Sequence, residues 1–339
     1  MAHLTSSRLM LASLIALGAL VLASIVALAV GSTSVPLSDV VDTFMGDGRG
    51  VSDIIVRQIR LPRVALAALV GGSLAAAGVI FQALLRNPLA DPYVLGISGG
   101  GGLGAVLAVS VGGSISVGTE VLVPIWAFVG SLGAIALVYT IARSSGSVNM
   151  HTMLLAGVVT NAICSALIMG LTLTLSFEKF QTVLFWLMGH LSSRLSWGSF
   201  LHLGAYVGVG LVMIGAVARD LNLMSLGDRQ AAHLGTNVER TKAIAFIGAS
   251  LITGAAVSAA GLVGFVGLMV PHGVRLLVGP DHRILLPISV VVGAAFLILT
   301  DATARWVIAP TELPVGVITA LIGGPSFIWM LRQRDRGGA

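Results

Sequence analysis

The feature that most constrains this chain is the recurrence of apolar runs about as long as the hydrocarbon core of a bilayer is thick. They fall at about 9–30, 64–85, 93–113, 121–142, 152–175, 197–218, 243–262, 263–278, 284–304 and 313–331 of 339 residues. A helix needs roughly 20 such residues to cross, so the pattern predicts an all-α polytopic membrane protein with ten transmembrane helices. A further run at 183–189 is too short to cross. The strict two-residue alternation of a membrane barrel is absent. Charged residues make up only 10% of the chain, against about 25% in a soluble domain, too few to cover a water-facing surface. The first run follows Arg8 and ends near Ala27-Leu28-Ala29, as a leader peptide can. It is longer than the roughly 7–15 residues of a leader core, which favours a retained span.

Ten spans leave only short loops, so the chain reads as one transmembrane domain over 1–339 with no room for a nucleotide-binding domain. The phosphate-binding string G-x-x-x-x-G-K-[ST] is missing: the only lysines are Lys179, after Glu178, and Lys242, after Thr241. ATP hydrolysis would therefore belong to a separate chain, and this one is a transport subunit rather than an enzyme. The net charge of +5 reports topology in a membrane chain and does not imply nucleic acid. With the N-terminus inside, twelve Lys and Arg fall on the cytoplasmic side and seven outside, which places both termini in the cytoplasm. The outer minority includes the cluster Arg57, Arg60 and Arg63, an exception that asks for its own reason.

Much of the glycine lies within spans, as in Gly71-Gly72, Gly99 to Gly102 and Gly261-x-x-Gly264-x-x-Gly267, where small residues let helix backbones approach. Pro88, Pro92 and Pro271 are expected at broken or loop-flanked helix ends. Gly71-Gly72-Ser73-Leu74 is echoed by Gly248-Ala249-Ser250-Leu251. Because the two spans would run in opposite directions, the echo is compatible with an inverted repeat of spans 2–5 on spans 7–10.

Ion-coupled carriers bury acids or histidines at mid-membrane. Here the acids lie in loops or at span ends, and Asp301, nearest to an exception, is expected to pair with Arg305. Gly96-Ile97-Ser98-Gly99-Gly100 has the G-x-S-x-G form of a serine nucleophile site, but a glycine run at a helix start explains it more simply. Seven histidines without i,i+4 pairing and the single Cys164 supply no local metal set, so no metal or cofactor is expected in this chain. The inner loop 219–242 mixes charge with Leu221, Leu223, Leu226 and Leu234. Two short helices broken at Gly227 and Gly235 would present a compact surface to a cytosolic partner.

Gln58-Ile59-Arg60-Leu61-Pro62-Arg63 is followed by Gln82-x-x-x-Arg86-Asn87-Pro88-Leu89-Ala90-Asp91-Pro92-x-x-Leu95-Gly96. Further along come Leu226-Gly227 to Leu234-Gly235, Gly264-Phe265-Val266-Gly267-Leu268-x-x-Pro271-His272, Asp281-His282-Arg283 and Glu312-Leu313-Pro314-Val315-Gly316. In this order the motifs resemble the FecCD family of ABC importer permeases for iron chelates (iron-siderophores), haem and vitamin B12 (cobalamin). The resemblance implies a permease subunit of a bacterial or archaeal inner membrane. It would work by alternating access as a homodimer with two cytosolic ATPases, which bind ATP and Mg, and an extracytoplasmic substrate-binding protein. It assigns Arg60, Arg63 and Arg305 to docking acidic residues of that binding protein, which would account for the outer arginine cluster. It makes Leu226, Gly227, Arg229, Gln230, Ala231, Leu234 and Gly235 the ATPase-coupling surface and puts Asn87 and Leu89 at the cytoplasmic gate. The stretch Asn149-Met150-His151, facing that gate, departs from the small hydroxyl residues of the vitamin B12 member. An ion-coupled carrier and an intramembrane serine protease are the competing readings.

Overall fold

In a computed structural model of the chain, residues 6–112, 119–144, 147–191 and 197–336 are described; Arg194, one of the outer charges in the topology count, lies outside them. The apolar runs become helices because, away from water, helix is the local structure that satisfies their backbone groups within the segment. In chain order these are α1 (Ser6–Ala29), α2 (Leu37–Met45), α3 (Gly50–Ile54), α4 (Leu61–Leu84), α5 (Ile97–Val111), α6 (Thr119–Ala142), α7 (Met150–Thr172) and α8 (Phe177–Leu187). They continue with α9 (Trp197–Ala216), α10 (Ala218–Met224), α11 (Asp228–His233), α12 (Val238–Ala260), α13 (Val266–Val278), α14 (His282–Trp306) and α15 (Val315–Arg336). Among the described residues the only strand pairing is the small hairpin of Arg143–Ser144 with Ser147–Val148. The short run at 183–189 contributes to α8, whose 11 residues cannot cross.

Six helices are long and apolar enough to cross a bilayer alone, and α9 with α10, bent by 46° at their junction, would make a seventh. α5, α13 and the apolar part of α15 are shorter. At about 1.5 Å per residue, α5 and α13 reach only about 23 and 20 Å, below the roughly 30 Å of the hydrocarbon core. Length and composition thus make six or seven helices candidate crossings among the described residues, and ten remains an expectation. The shortfall has a local cause: α5 begins only after the 3-10 turn Pro92–Leu95 and Gly96, and α13 only after the non-helical stretch 261–265.

α4 packs along α14, α12 packs along α6, and α4 and α12 touch each other. This exchange of partners is what a repeat of spans 2–5 on spans 7–10 requires. The four-residue echo does not mark equivalent contacts, since Gly71 meets the backbone of Gly293 in α14 whereas Gly248 meets Met213 and Ile214 in α9. α1 lies along α14 and buries Ala16, Ala23 and Ala27.

Two contacts fix the depth of α4 in the bundle. A Cβ on Gly71 would stand 2.2 Å from the Gly293 carbonyl oxygen, and one on Gly78 only 1.8 Å from that of Gly267. α4 therefore meets α14 and α13 backbone to backbone, an approach only small residues permit. Pro88 and Pro92 lie between α4 and α5 as expected, but Pro271 sits inside α13 rather than at its end. Its ring removes the N–H that would bind the Gly267 carbonyl four residues back. Gln82 Nε2 donates to that carbonyl at 3.3 Å and to Leu268 O at 3.2 Å, so a side chain of α4 satisfies a carbonyl that the proline leaves free.

Between α3 and α4 the backbone makes a π segment, Ile55–Arg60, just before Pro62. The wider turn clears the proline ring from the carbonyl four residues earlier. It also turns residues three apart away from a common face, so Arg57 is exposed while Arg60 and Arg63 are buried.

Candidate functional site

The residues singled out from sequence fall at opposite ends of α4, and the two ends are built differently. At the end carrying Arg60, Arg63 and Arg305, the three arginines are 3%, 5% and 4% exposed. Arg63 holds Asp301 through Nε at 3.0 Å and Nη2 at 2.9 Å, and its Nη1 donates to Glu312 Oε2 at 2.7 Å. Arg305 Nε donates to the other oxygen of Asp301 at 3.1 Å, the expected ion pair now shared with Arg63. Arg60 donates to Leu28 O at 2.5 Å and to Thr33 O, and Arg305 to Ala27 O at 3.0 Å and Val30 O at 3.3 Å. Two guanidiniums thus satisfy the free carbonyls at the C-terminal end of α1, where positive charge is favoured. Between them lies a cavity of about 220 Å³ lined by Ser32, Thr33, Ile55, Ile59, Glu312 and the three arginines. Arg60 donates to no carboxylate among the described residues; Arg63 and Arg305 have Asp301 between them.

At the other end, the 219–242 loop folds as the sequence suggests, into α10 and α11 separated at Gly227 and closed at Gly235. Both glycines have positive φ, +119° and +89°. At Gly235 the bonds Gly235 N–H to Ala232 O (3.0 Å) and Thr236 N–H to Ala231 O (3.0 Å) make a Schellman cap, which favours glycine at this left-handed position. Leu226 and Leu234 are 61% and 59% exposed, and Arg229 and Gln230 are exposed beside them. Ala231 is different: it is fully buried and belongs to the packing beneath α11 rather than to its outer face.

The segment after α4 holds Asn87 and Leu89. Asn87 Oδ1 accepts from Leu89 N–H at 3.0 Å. Asp91 caps the turn Pro92–Leu95, accepting from Tyr93 N–H at 2.8 Å. Burial pushes its carboxyl up to about 6, against the opposing effect of the Tyr93 and Phe265 backbone N–H groups. At the start of α7, Asn149 caps the helix by accepting from His151 and Thr152 N–H groups at 3.0 and 3.2 Å. Ser98 Oγ donates to Tyr93 O at 3.2 Å, a helix-start contact rather than a nucleophile's.

Sequence reasoning missed the polar ties of the loop. Asn222 Nδ2 donates to Asp281 Oδ1 at 2.6 Å, and Asn222 Oδ1 accepts from His282 N–H at 2.9 Å, joining α10 to the start of α14. Arg283 beside Asp281, with Asn222, holds that carboxyl well below the usual range. The motif Asp281-His282-Arg283 was the available signal, without its partner. Lys242 also pairs with both Asp228 and Glu239, for which the i,i+3 spacing of Glu239 and Lys242 was the only hint.

Comparison with known proteins gives this arrangement its context. The cobalamin import system permease BtuC of Halobacterium salinarum is 43% identical over 284 residues, covering 84% of this chain and 75% of that protein. The hemin transport system permease HmuU of Yersinia pestis is 40% identical over 283 residues, covering 82% of this chain and 83% of the relative. A solved structure of an inward-facing metal-chelate type ABC transporter superposes with a TM-score of 0.80 at 29% identity, covering 96% of this chain and 98% of the other. The model of the FecCD transport family matches residues 19–333, so nearly the whole bundle is accounted for: the chain belongs to the FecCD transport family.

Proposed function

We propose that this chain is the membrane permease of an ATP-driven, binding-protein-dependent importer for an iron chelate, haem or cobalamin. The observation that carries this reading is the similarity to permeases for cobalamin and hemin across more than four fifths of the chain. The chain is a multi-pass membrane subunit and not itself an enzyme. Two cytosolic ATPases binding ATP and Mg would seat on the face formed by Leu226, Arg229, Gln230 and Leu234, whose exposed leucines support a partner there. A second copy would complete the pathway, and the apolar face of α7 with exposed Leu155, Val158, Val159 and Ile163 is available to it or to lipid. Both termini would be cytoplasmic, and no resident metal or cofactor is assigned to the chain.

The extracytoplasmic binding protein would dock over the arginine-lined cavity. Arg60 carries charge unmatched by a carboxylate, but it is 3% exposed and bound to the carbonyls of Leu28 and Thr33, so an acidic residue would reach it only through the arginine-lined cavity; Arg63 and Arg305 would contribute mainly by holding the rim. Gate movement would place Asn87 and Leu89 against the start of α7 in one state and apart in the other, driven by states that differ in affinity for the cargo. The test is reconstitution of the dimer with its ATPases and binding protein in liposomes, following uptake of cobalamin, hemin and a ferric chelate. ATP-dependent uptake of one of these is expected. Uptake driven by a proton or sodium gradient without ATP would overturn the reading in favour of an ion-coupled carrier.

A further inference from the structure

An alternating chain of charges runs across the cytoplasmic end of the fold and uses every carboxylate oxygen it contains. Arg86 Nη2 donates to Asp228 Oδ1 and also to Met224 O at 3.3 Å. The other oxygen of Asp228 accepts from Lys242 Nζ at 2.8 Å, and Lys242 Nζ donates onward to Glu239 Oε1 at 3.2 Å. Glu239 Oε2 then accepts from the backbone N–H of Val148 at 3.0 Å. One end of this chain is the residue before Asn87. The other is the residue before Asn149, the cap of α7. Between them stand the first residue of α11 and the first turn of α12.

We infer that Arg86, Asp228, Lys242 and Glu239 are positioning residues that tie both sides of the cytoplasmic gate to the 219–242 loop. This deepens the proposed function and rests on it. Two observations separate the relay from ordinary surface pairing. Lys242 is 8% exposed, so its charge requires the two carboxylates that meet it. Arg86 has φ +48°, and its neighbours make the two bonds of a Schellman cap, Arg86 N–H to Ala83 O at 3.2 Å and Asn87 N–H to Gln82 O at 3.1 Å. That position favours glycine. Arginine brings nothing to the backbone there; what it adds is the reach to Asp228. The links themselves are half exposed at Arg86 and Asp228, and exposed pairs of this kind add little stability. A tie of that strength transmits position while it is closed and opens readily when the loop moves.

The experiment uses the whole reconstituted transporter and measures uptake, ATP hydrolysis and the ratio of the two. Arg86→Gly suits the left-handed backbone and should leave folding and assembly intact; Lys242→Met removes the central charge, and Lys242→Arg restores it. The relay predicts that Arg86→Gly and Lys242→Met each lower uptake per ATP by up to about fivefold, with Lys242→Arg near the unaltered ratio. If Lys242→Met fails to assemble, Arg86→Gly decides alone. An unchanged ratio in Arg86→Gly would overturn the relay while leaving the importer reading intact. No ATP-driven uptake in the unaltered transporter would overturn the importer reading itself, and the relay with it.

Discussion

Replacing Asp301 by alanine isolates the buried charge cluster from every other feature of the outer face. Asp301 is 1% exposed and accepts from both Arg63 and Arg305, themselves 5% and 4% exposed. Without it, Arg305 keeps only carbonyl partners from α1, and Arg63 keeps only Glu312, whose side chain is 31% exposed and screened by water. Two guanidiniums are then buried with one partly solvated carboxylate between them. Breaking a buried pair by removing one partner costs about 3–5 kcal/mol, because the remaining charge has neither water nor counter-ion. On the scale of soluble domains that loss lowers a melting temperature by roughly 10 °C. Thermal unfolding of the detergent-solubilised permease, followed by tryptophan fluorescence, reads it directly. Arg57→Ala is the control: its pair with Asp53 is 50% and 25% exposed and contributes about 0–1 kcal/mol. Asp301→Asn, which keeps an acceptor for Arg63, should fall between the two. If Asp301→Ala melts no lower than Arg57→Ala, the cluster does not hold α1, α4 and α14 together and the argument fails.

Arg60→Glu should weaken capture of the binding protein, because a carboxylate there loses the bonds to the Leu28 and Thr33 carbonyls and reverses the charge lining the cavity; equal affinity at two ionic strengths in mutant and parent would remove Arg60 from the docking surface. Gly235→Val forces a β-branched residue into φ +89°, at a cost of about 1–2 kcal/mol. Pull-down of the ATPase should be lost while the melting temperature of the bundle hardly moves, and retained pull-down would show that the cap does not shape that surface. Asp281 has its carboxyl held low in the fold, so its contribution is present above the ordinary aspartate pKa, about 4, and is lost as pH falls below that value. Asn222→Ala should shrink this acid-side loss in melting curves between about pH 2 and 5, the range that brackets the ordinary aspartate pKa and the descent below it; an unchanged acid limb would mean that Asn222 does not help set it.

What could be read without a structure was what depends on local composition. Apolar runs gave the helices, Gly227 and Gly235 gave the breaks in the inner loop, and the family motifs gave the order of parts. What could not be read depends on residues far apart in sequence. Gln82 meets the carbonyls of Gly267 and Leu268 because Pro271 has removed a donor in a helix nearly 200 residues away, and no window on either segment contains both facts. Arg60, Arg63 and Arg305 were legible as an exception to the charge rule, but a count of charges does not say whether a guanidinium faces water or the end of α1. The resemblance puts Ala231 on the coupling surface, yet two residues, about half a turn of helix, separate an outward Arg229 from an inward Ala231.

The two charged assemblies at the ends of α4 differ in the property that decides whether a part can move. Arg63, Asp301 and Arg305 are withdrawn from water, so parting them exposes unpaired charge to a low-dielectric interior and carries a penalty of several kcal/mol. The Arg86 to Asp228 pair stands largely in water, where each group can exchange its partner for solvent at a cost of about 1 kcal/mol or less. A transporter that alternates access must hold one end of its helices while the other is displaced, and a rigid tie cannot also be the hinge. In this chain the costly tie lies where α1, α4 and α14 meet, and the cheap one lies between the segment after α4 and the start of α11. The expectation is asymmetric: high salt should loosen the end carrying Arg86 and Asp228 first, because screening acts on exposed pairs and hardly on buried ones. Hydrogen exchange measured at about 0.05 and 0.5 M salt would show increased exchange in 225–242 and 86–91 with 27–33 and 301–313 unaffected. Equal loosening at both ends would mean that burial does not distinguish them.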